Sequence, residues 1–416
     1  MVFHRGSLVT GWLALAFAVS GCESLLGDLG EFRLREDAAI DDADDGSTDD
    51  TSLPDTSDPF DASSDSLDGS LLDTRADTAA DACDAAGADA DPDNCGACGH
   101  SCLGGACAGG RCQPLIVAKA STGETLYSVT ADPSASGYVF FSAHDATKVE
   151  TRVIRQTKDG SPSARFQIFS DKSARKPVRI AWTSSRVIAT LTDDARGGRE
   201  GGVVSFRSDG TDAAYRPNID RPWRLAVLPT EVYLLNDGDP DIVARMSPVM
   251  GGYEPLYGYL PDAGAVVTER SYALAVQASV SGFVFFSLGS DTYRVGKSTI
   301  DGGPLGLGIA LALAVDEQYL YLAKKTALVR TKPSGCPTGT PSCPLTLVTG
   351  TDLVDVILEG GVLYYGDRGT GEIGSVRIDG TDRKTLATGI TQLIHLAADD
   401  SAIFFVTPTQ VGKVAR

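Results

Sequence analysis

The sequence predicts an all-β chain whose body, residues 113–416, closes into a seven-bladed β-propeller, with six blades as the alternative count. Three observations carry this. First, a short apolar and aromatic run recurs seven times: Tyr138-Val139-Phe140-Phe141, Arg186-Val187-Ile188-Ala189, Glu231-Val232-Tyr233-Leu234, Phe283-Val284-Phe285-Phe286, Tyr319-Leu320-Tyr321-Leu322, Val362-Leu363-Tyr364-Tyr365 and Ala402-Ile403-Phe404-Phe405. The mean spacing is 44 residues, the length of one four-stranded blade. Second, a further strand lies upstream of each run. Stepping back seven or ten residues reaches Ser128, Arg179, Arg224, Ala273, Ala312, Asp355 and His395. The residue before each is apolar (Tyr127, Val178, Trp223, Tyr272, Leu311, Val354, Ile394), and so is the residue after (Val129, Ile180, Leu225, Leu274, Leu313, Val356, Leu396). The next position is nearly always small, which suits an innermost strand where blades crowd the axis. Third, Asp159-Gly160, Asp209-Gly210, Asp301-Gly302 and Asp379-Gly380 follow the runs as short-hairpin turns, with Met250-Gly251-Gly252 and Ser334-Gly335 in the same slot.

The elements before the body follow from composition. His4 and Arg5 precede an apolar stretch, Leu8 to Val19, of signal-peptide length and too short to span a bilayer comfortably. It ends Val19-Ser20-Gly21-Cys22, which resembles a bacterial lipobox. The resemblance implies that residues 1–21 are a lipoprotein signal peptide and that Cys22 is lipidated, anchoring the chain to a membrane of the cell envelope. The alternative is an ordinary secretory signal with an unrelated Cys. Glu23, rather than Asp, follows the Cys, which by the enteric sorting pattern points to the outer membrane, periplasmic or surface face left open.

The formal charge is −19, and its place matters more than its size. From Glu36 to Asp93 there are nineteen Asp and one Glu against Arg75 alone, so the body is neutral. Residues 22–82 read as a disordered Asp-rich tether, because such a stretch cannot bury enough apolar surface to offset ordering entropy. A spacer off the membrane is its expected use; a weak calcium sponge is the alternative. Without a basic surface, nucleic acid is not an expected partner.

Nine Cys are present, and removing Cys22 leaves an even eight, as expected of an exported chain. Residues 83–112 hold six of them: Cys83, Cys95, Cys98, Cys102, Cys107 and Cys112. The stretch Asn94-Cys95-Gly96-Ala97-Cys98-Gly99-His100-Ser101-Cys102 resembles the N-C-G-x-C-G-x-x-C segment of secreted surface proteins of myxobacteria and their relatives. A segment this small needs disulfides to hold it, with fifteen pairings open; zinc on the thiols and His100 is the rival. Cys336 and Cys343 bracket a short loop in the outer hairpin of the fifth repeat and read as a further disulfide.

The seventh repeat stops where its outer turn should be, while Leu115-Ile116-Val117-Ala118 is a spare strand before the first. The two are expected to share one blade, which closes the ring and protects its edges. The repeats resemble the blades of TolB-like and YWTD-like propellers, families in which six blades are common. That resemblance is architectural and implies lactonase-like or lyase-like channel chemistry no more than simple binding.

Candidate chemistry is sparse. Asp132, Asp316, Glu359, Asp399 and Asp400 sit where turns are expected. Asp237, Asp239 and Asp241 alternate as in a calcium loop but without a distal Glu, so a solvated loop is expected. Phosphate loops, nucleophile elbows and HExxH are lacking. The informative positions are Arg179, Arg224, Asp355 and His395, polar residues in one innermost-strand column. The Arg pair, on adjacent repeats, is suited to an anion such as a carboxylate. Two function classes follow: a non-enzymatic lipoprotein displaying a propeller that binds a protein, peptide or glycan, or an envelope hydrolase or lyase working at the channel. The first is preferred. No catalytic residue, metal or cofactor is assigned, and a monomer is expected.

Overall fold

A computed structural model describes residues 90–134, 137–172, 175–192, 201–236, 241–258, 273–298, 302–337, 339–340 and 342–416. The segments expected as signal peptide and tether, with Cys22, and Cys83, Asp237 and Asp239 lie outside the described residues.

Each repeat becomes one four-stranded antiparallel sheet, and there are seven such sheets, not six. The innermost strands are Glu124–Ala131, Lys176–Thr183, Pro222–Val227, Ala273–Val276, Ala312–Val315, Leu353–Glu359 and His395–Ala398. The recurrent aromatic runs form the second strands. They are buried on both faces, as in Ala402–Val406, because each blade packs between two neighbours. Phe140 of blade 1, for example, reaches Val187 and Phe206 of blade 2 and stacks on Trp182 with ring centroids 5.3 Å apart. The seventh sheet runs His395–Ala398, Ala402–Val406, Gln410–Ala415 and then Leu115–Lys119, which returns from the start of the body to pair Leu115 with Lys413 and Lys119 with Gln410.

The outer turns form as their chemistry dictates. Asp209 Oδ1 accepts from the Thr211 amide (2.9 Å) and hydroxyl (2.6 Å), Asp379 treats Thr381 the same way, and Gly210 takes φ 89°. Gly160 adds a second constraint, since a Cβ there would stand 3.2 Å from the Val117 backbone in the closing strand.

Two repeated devices tie blade to blade. At one third-strand position, Arg155, Arg294 and Arg330 each lie over an aromatic ring at the start of the second strand or just before it (Tyr138, Phe283 and Tyr319, at 4.4, 4.8 and 4.4 Å). Each then donates to a carbonyl in the next blade's outer turn: Ser208, Pro333 and Ile378. In blade 2 the same position is Ser205, which donates to Pro248 O (2.5 Å) while accepting from Arg186 Nε (2.6 Å). The second device is a lysine just after the third strand. Lys158 ties its own blade's inner loop, through the carbonyls of Asp132 and Ser134 (both 2.6 Å), to Asp399 of blade 7 (2.6 Å). Lys297 repeats this in blade 4, on Ser279 O (3.0 Å) and toward Glu231 (3.9 Å).

The Cys-rich segment carries Cys95–Cys107 and Cys102–Cys112, with Cys98 also disulfide-bonded. Sulfurs committed this way are not thiolates, so zinc loses its ligands. Cys95, Cys102 and Cys112 pack against Ile373, Ile390 and Leu393 of the sixth repeat and the connection after it, so the segment shares the propeller's core. Cys336–Cys343 closes the loop in blade 5.

Candidate functional site in the propeller channel

Arg179, Arg224, Asp355 and His395 line one cavity of about 410 Å³ on the axis. A second cavity of about 330 Å³ lies on the side where the innermost strands begin, bounded by Tyr127, Val178 and Trp223 rather than Thr130, Trp182 and Val227. Both contain Arg179, Arg224 and Leu311 in their walls, so the Arg pair forms the waist between two vestibules.

One local irregularity builds this waist. The innermost strands of blades 1, 2, 3 and 6 carry a β-bulge at the same place: between Leu126 and Ser128, Pro177 and Arg179, Pro222 and Arg224, and Leu353 and Asp355. In simple alternation the apolar residue before the column would face away from it. The extra residue of a bulge turns it instead. Val178 and Trp223 therefore line the same vestibule wall as Arg179 and Arg224.

Asp355 and His395 are held by the backbone. Asp355 is 7% exposed; its Oδ1 accepts from Val356 N (2.9 Å) and its Oδ2 from Leu396 N (2.8 Å). His395 Nε2 stands 3.6 Å from Asp355 Oδ2, and its Nδ1 is 3.0 Å from Ser128 Oγ. The Val129 amide donates to the same Nδ1 (3.4 Å), which makes Nδ1 an acceptor and places the imidazole proton on Nε2, while Ser128 Oγ accepts from the Ile180 amide (3.1 Å) and donates its own proton to Nδ1. Ser128 is fully buried, so this Ser–His–Asp line joins blades 6, 7, 1 and 2 and does not present a nucleophile.

Asp355 lies beside His395 and acts on Arg179 and Arg224 by charge. The Arg179 guanidinium makes no hydrogen bond or ion pair among the described residues; Arg224 Nη1 reaches Trp223 O at 3.4 Å. Burial pushes Arg179 below its ordinary value, with Asp355 opposing. Burial and then the Arg179 charge push Arg224 lower still. Two like charges in a poorly solvated waist favour any anion that enters between them. Burial raises Asp355, against the pull of Arg179, its two amides and Arg224.

His395 is held well below its ordinary value by burial, then by Arg179 and Arg224. An unfolded His titrates near pH ~6.5. Below that the unfolded chain binds the additional proton and the folded chain does not. Stability therefore falls with pH until the folded value is reached, by up to about 1.4 kcal/mol per unit. His395→Gln is expected to remove this slope. Urea midpoints at about pH 7.5 and about pH 5.5 check it, and an equal difference between wild type and variant at both would refute it.

Asp132, Asp316 and Asp399 resolve as turn acceptors, whereas Glu359, expected in a turn, ends the innermost strand of blade 6 and pairs with Val362. Asp132 Oδ1 accepts from Ser134 N (2.9 Å), Asp316 Oδ1 from Gln318 N and Tyr319 N (2.7 and 2.6 Å), and Asp399 Oδ1 from Ser401 N and Ala402 N (both 2.7 Å). Sequence reading missed Ser128 as a structural partner of His395, although it stands in the same column.

No family model and no curated protein matches the chain. Solved structures do. A streptogramin B lyase is 12% identical, with 72% of this chain and 96% of that chain covered and a TM-score of 0.48. A chain of a mitotic checkpoint complex is 8% identical over 70% and 91%, with a TM-score of 0.49. YCF48 from Cyanidioschyzon merolae is 10% identical over 70% and 96%, with a TM-score of 0.48. At these identities the likeness is one of general chain course and bears on no residue's role.

Proposed function

We propose that this chain is a membrane-anchored envelope lipoprotein whose propeller is a non-enzymatic binding module, capturing a protein, peptide or glycan through an anionic group held at Arg179 and Arg224. The carrying observation is the Arg pair at the waist, where both cavities meet and where the Arg179 guanidinium makes no hydrogen bond or ion pair among the described residues, with Asp355 acting on it by charge alone. Binding is favoured over catalysis because both Asp355 oxygens and His395 Nδ1 are already held by hydrogen bonds within the wall. The anchor rests on the Leu8 to Val19 run and Cys22, and the Cys-rich segment suits an exported surface protein.

The test is capture from cell envelopes by the full chain, read in membrane and soluble fractions. Cys22→Ala should move the protein out of the membrane fraction without changing what it captures. Arg179→Ala with Arg224→Ala should lose capture, with the melting temperature held or raised, since two neighbouring like charges are removed. A folded double variant that captures everything the wild type does would place binding elsewhere.

A further inference from the structure

We infer that the narrower vestibule takes an amphipathic organic anion, with a carboxylate between Arg179 and Arg224 and an apolar body against Trp223 and its neighbours. This rests on the anion reading above and adds the ligand's class and the mouth by which it enters.

The two vestibules share the Arg pair but differ in everything else. The wider one adds Asp355 and His395, so its wall holds a carboxylate as well as the cations. The narrower one adds Lys176 and Arg368, and no carboxylate lines it among the described residues. Arg368 shares its charge with Asp352 (2.8 Å), which stands outside that wall. The remaining wall is apolar.

That apolar wall is built, not incidental. Tyr127, Val178, Trp223, Leu311, Val354 and Ile394 come from six blades and one position in the innermost strand, and each stays part-exposed. Two residues further along, Val129, Ile180, Leu313, Val356 and Leu396 are at most 7% exposed, while Leu225 is part-exposed like Trp223. At Tyr127, Val178, Trp223 and Val354 a bulge brings a residue otherwise suited to the core into the channel, and Leu311 and Ile394 reach it from just before their strands begin. Single exposed apolar residues need no explanation, but a ring of them around a concave space is the composition of a ligand pocket.

Charge and wall together select the ligand. A small inorganic anion satisfies the guanidiniums and leaves the apolar ring wet. A neutral hydrophobe covers the ring and leaves the like charges of Arg179 and Arg224 facing each other without an anion between them. A carboxylate on an apolar body answers both, and the planar guanidinium matches the carboxylate fork. The volume of about 330 Å³ is near the lower end for small-molecule pockets, which sets the body at one ring or a short chain. A free organic acid and a peptide C-terminus with an apolar last residue share this chemistry.

Isothermal titration of the full chain tests it with 3-phenylpropanoate, its amide, acetate, and a short N-acetylated peptide ending in Phe as acid or amide. The acid 3-phenylpropanoate should bind about 10- to 100-fold more tightly than acetate, the worth of burying one phenyl group. Its amide should lose a similar factor. Trp223→Ala should weaken 3-phenylpropanoate about tenfold and leave acetate unchanged. The peptide acid binding more tightly than 3-phenylpropanoate supports the class and assigns a chain end, and the reverse order supports it and assigns a free acid. Acetate matching 3-phenylpropanoate overturns the apolar body and leaves the Arg reading standing. The amide matching the acid, or no binding by any probe, overturns the Arg reading as well. The comparison of acid, amide and acetate needs only the wild-type chain, so a poorly folded Trp223→Ala variant would not rescue the idea.

Discussion

A chain beginning at Ala120 should melt about 10 °C or more below one beginning at Gln113. Both lack the Cys-rich segment, so the comparison isolates Leu115–Lys119, the outer strand of blade 7. Removing it breaks several ladder hydrogen bonds, each worth about 0.5–1.5 kcal/mol net. It also uncovers the space filled by Val117, only 4% exposed, whose burial is worth about 1.5–3 kcal/mol. The Gly160 turn of blade 1 loses the backbone it packs against. The loss totals about 5 kcal/mol, and Gln410–Ala415 becomes an open edge, so association at raised concentration should accompany the lower melting point. Thermal unfolding of the two chains with light scattering checks both effects. Coincident melting curves would mean the ring is held by its blade faces alone.

The architecture was legible because blade strands announce themselves through β-branched and aromatic residues at a fixed period. The closing strand was legible because Leu115 to Ala118 had no partner of its own in sequence. The candidate column was readable for the same reason, as a polar position between apolar ones. What it could not reveal is the bulge. Apolar, polar, apolar reads alike whether Val178 faces away from Arg179 or beside it, because the extra residue is defined only by the register against Thr190 and Leu191. Val178 and Trp223, apolar neighbours of the column, are part of the vestibule wall. Disulfide pairing was equally hidden: Cys95 meets Cys107 and Cys102 meets Cys112 through the path of a segment with little regular structure. The inter-blade devices lay further from view. Arg155 and Ser208 are 53 residues apart and meet only once two blades are packed.

Lys158 at the ring's closing junction carries the second large effect. It is 8% exposed and supplies its charge to Asp399 at 2.6 Å and its protons to two carbonyls. Burial alone would raise Asp399, but Lys158 and the Ser401 and Ala402 amides hold it below the usual carboxylate range. A carboxylate depressed in the folded state adds stability above its unfolded value near pH ~3.9, lost as pH falls through the folded one. Lys158→Met keeps the bulk and removes the charge, stranding a buried carboxylate and two carbonyls, and should cost about 3–5 kcal/mol at neutral pH. Asp399→Asn keeps the turn acceptor, so in the double variant Lys158→Met/Asp399→Asn the stranded charge is gone and a good part of the loss should return. Urea unfolding of all four proteins gives the coupling, expected at about 2 kcal/mol or more. Strict additivity would reduce the pair to two unrelated contacts. Lys297, with one carbonyl and a carboxylate at 3.9 Å, has the same place in blade 4 and a weaker hold, so Lys297→Met should cost clearly less than Lys158→Met.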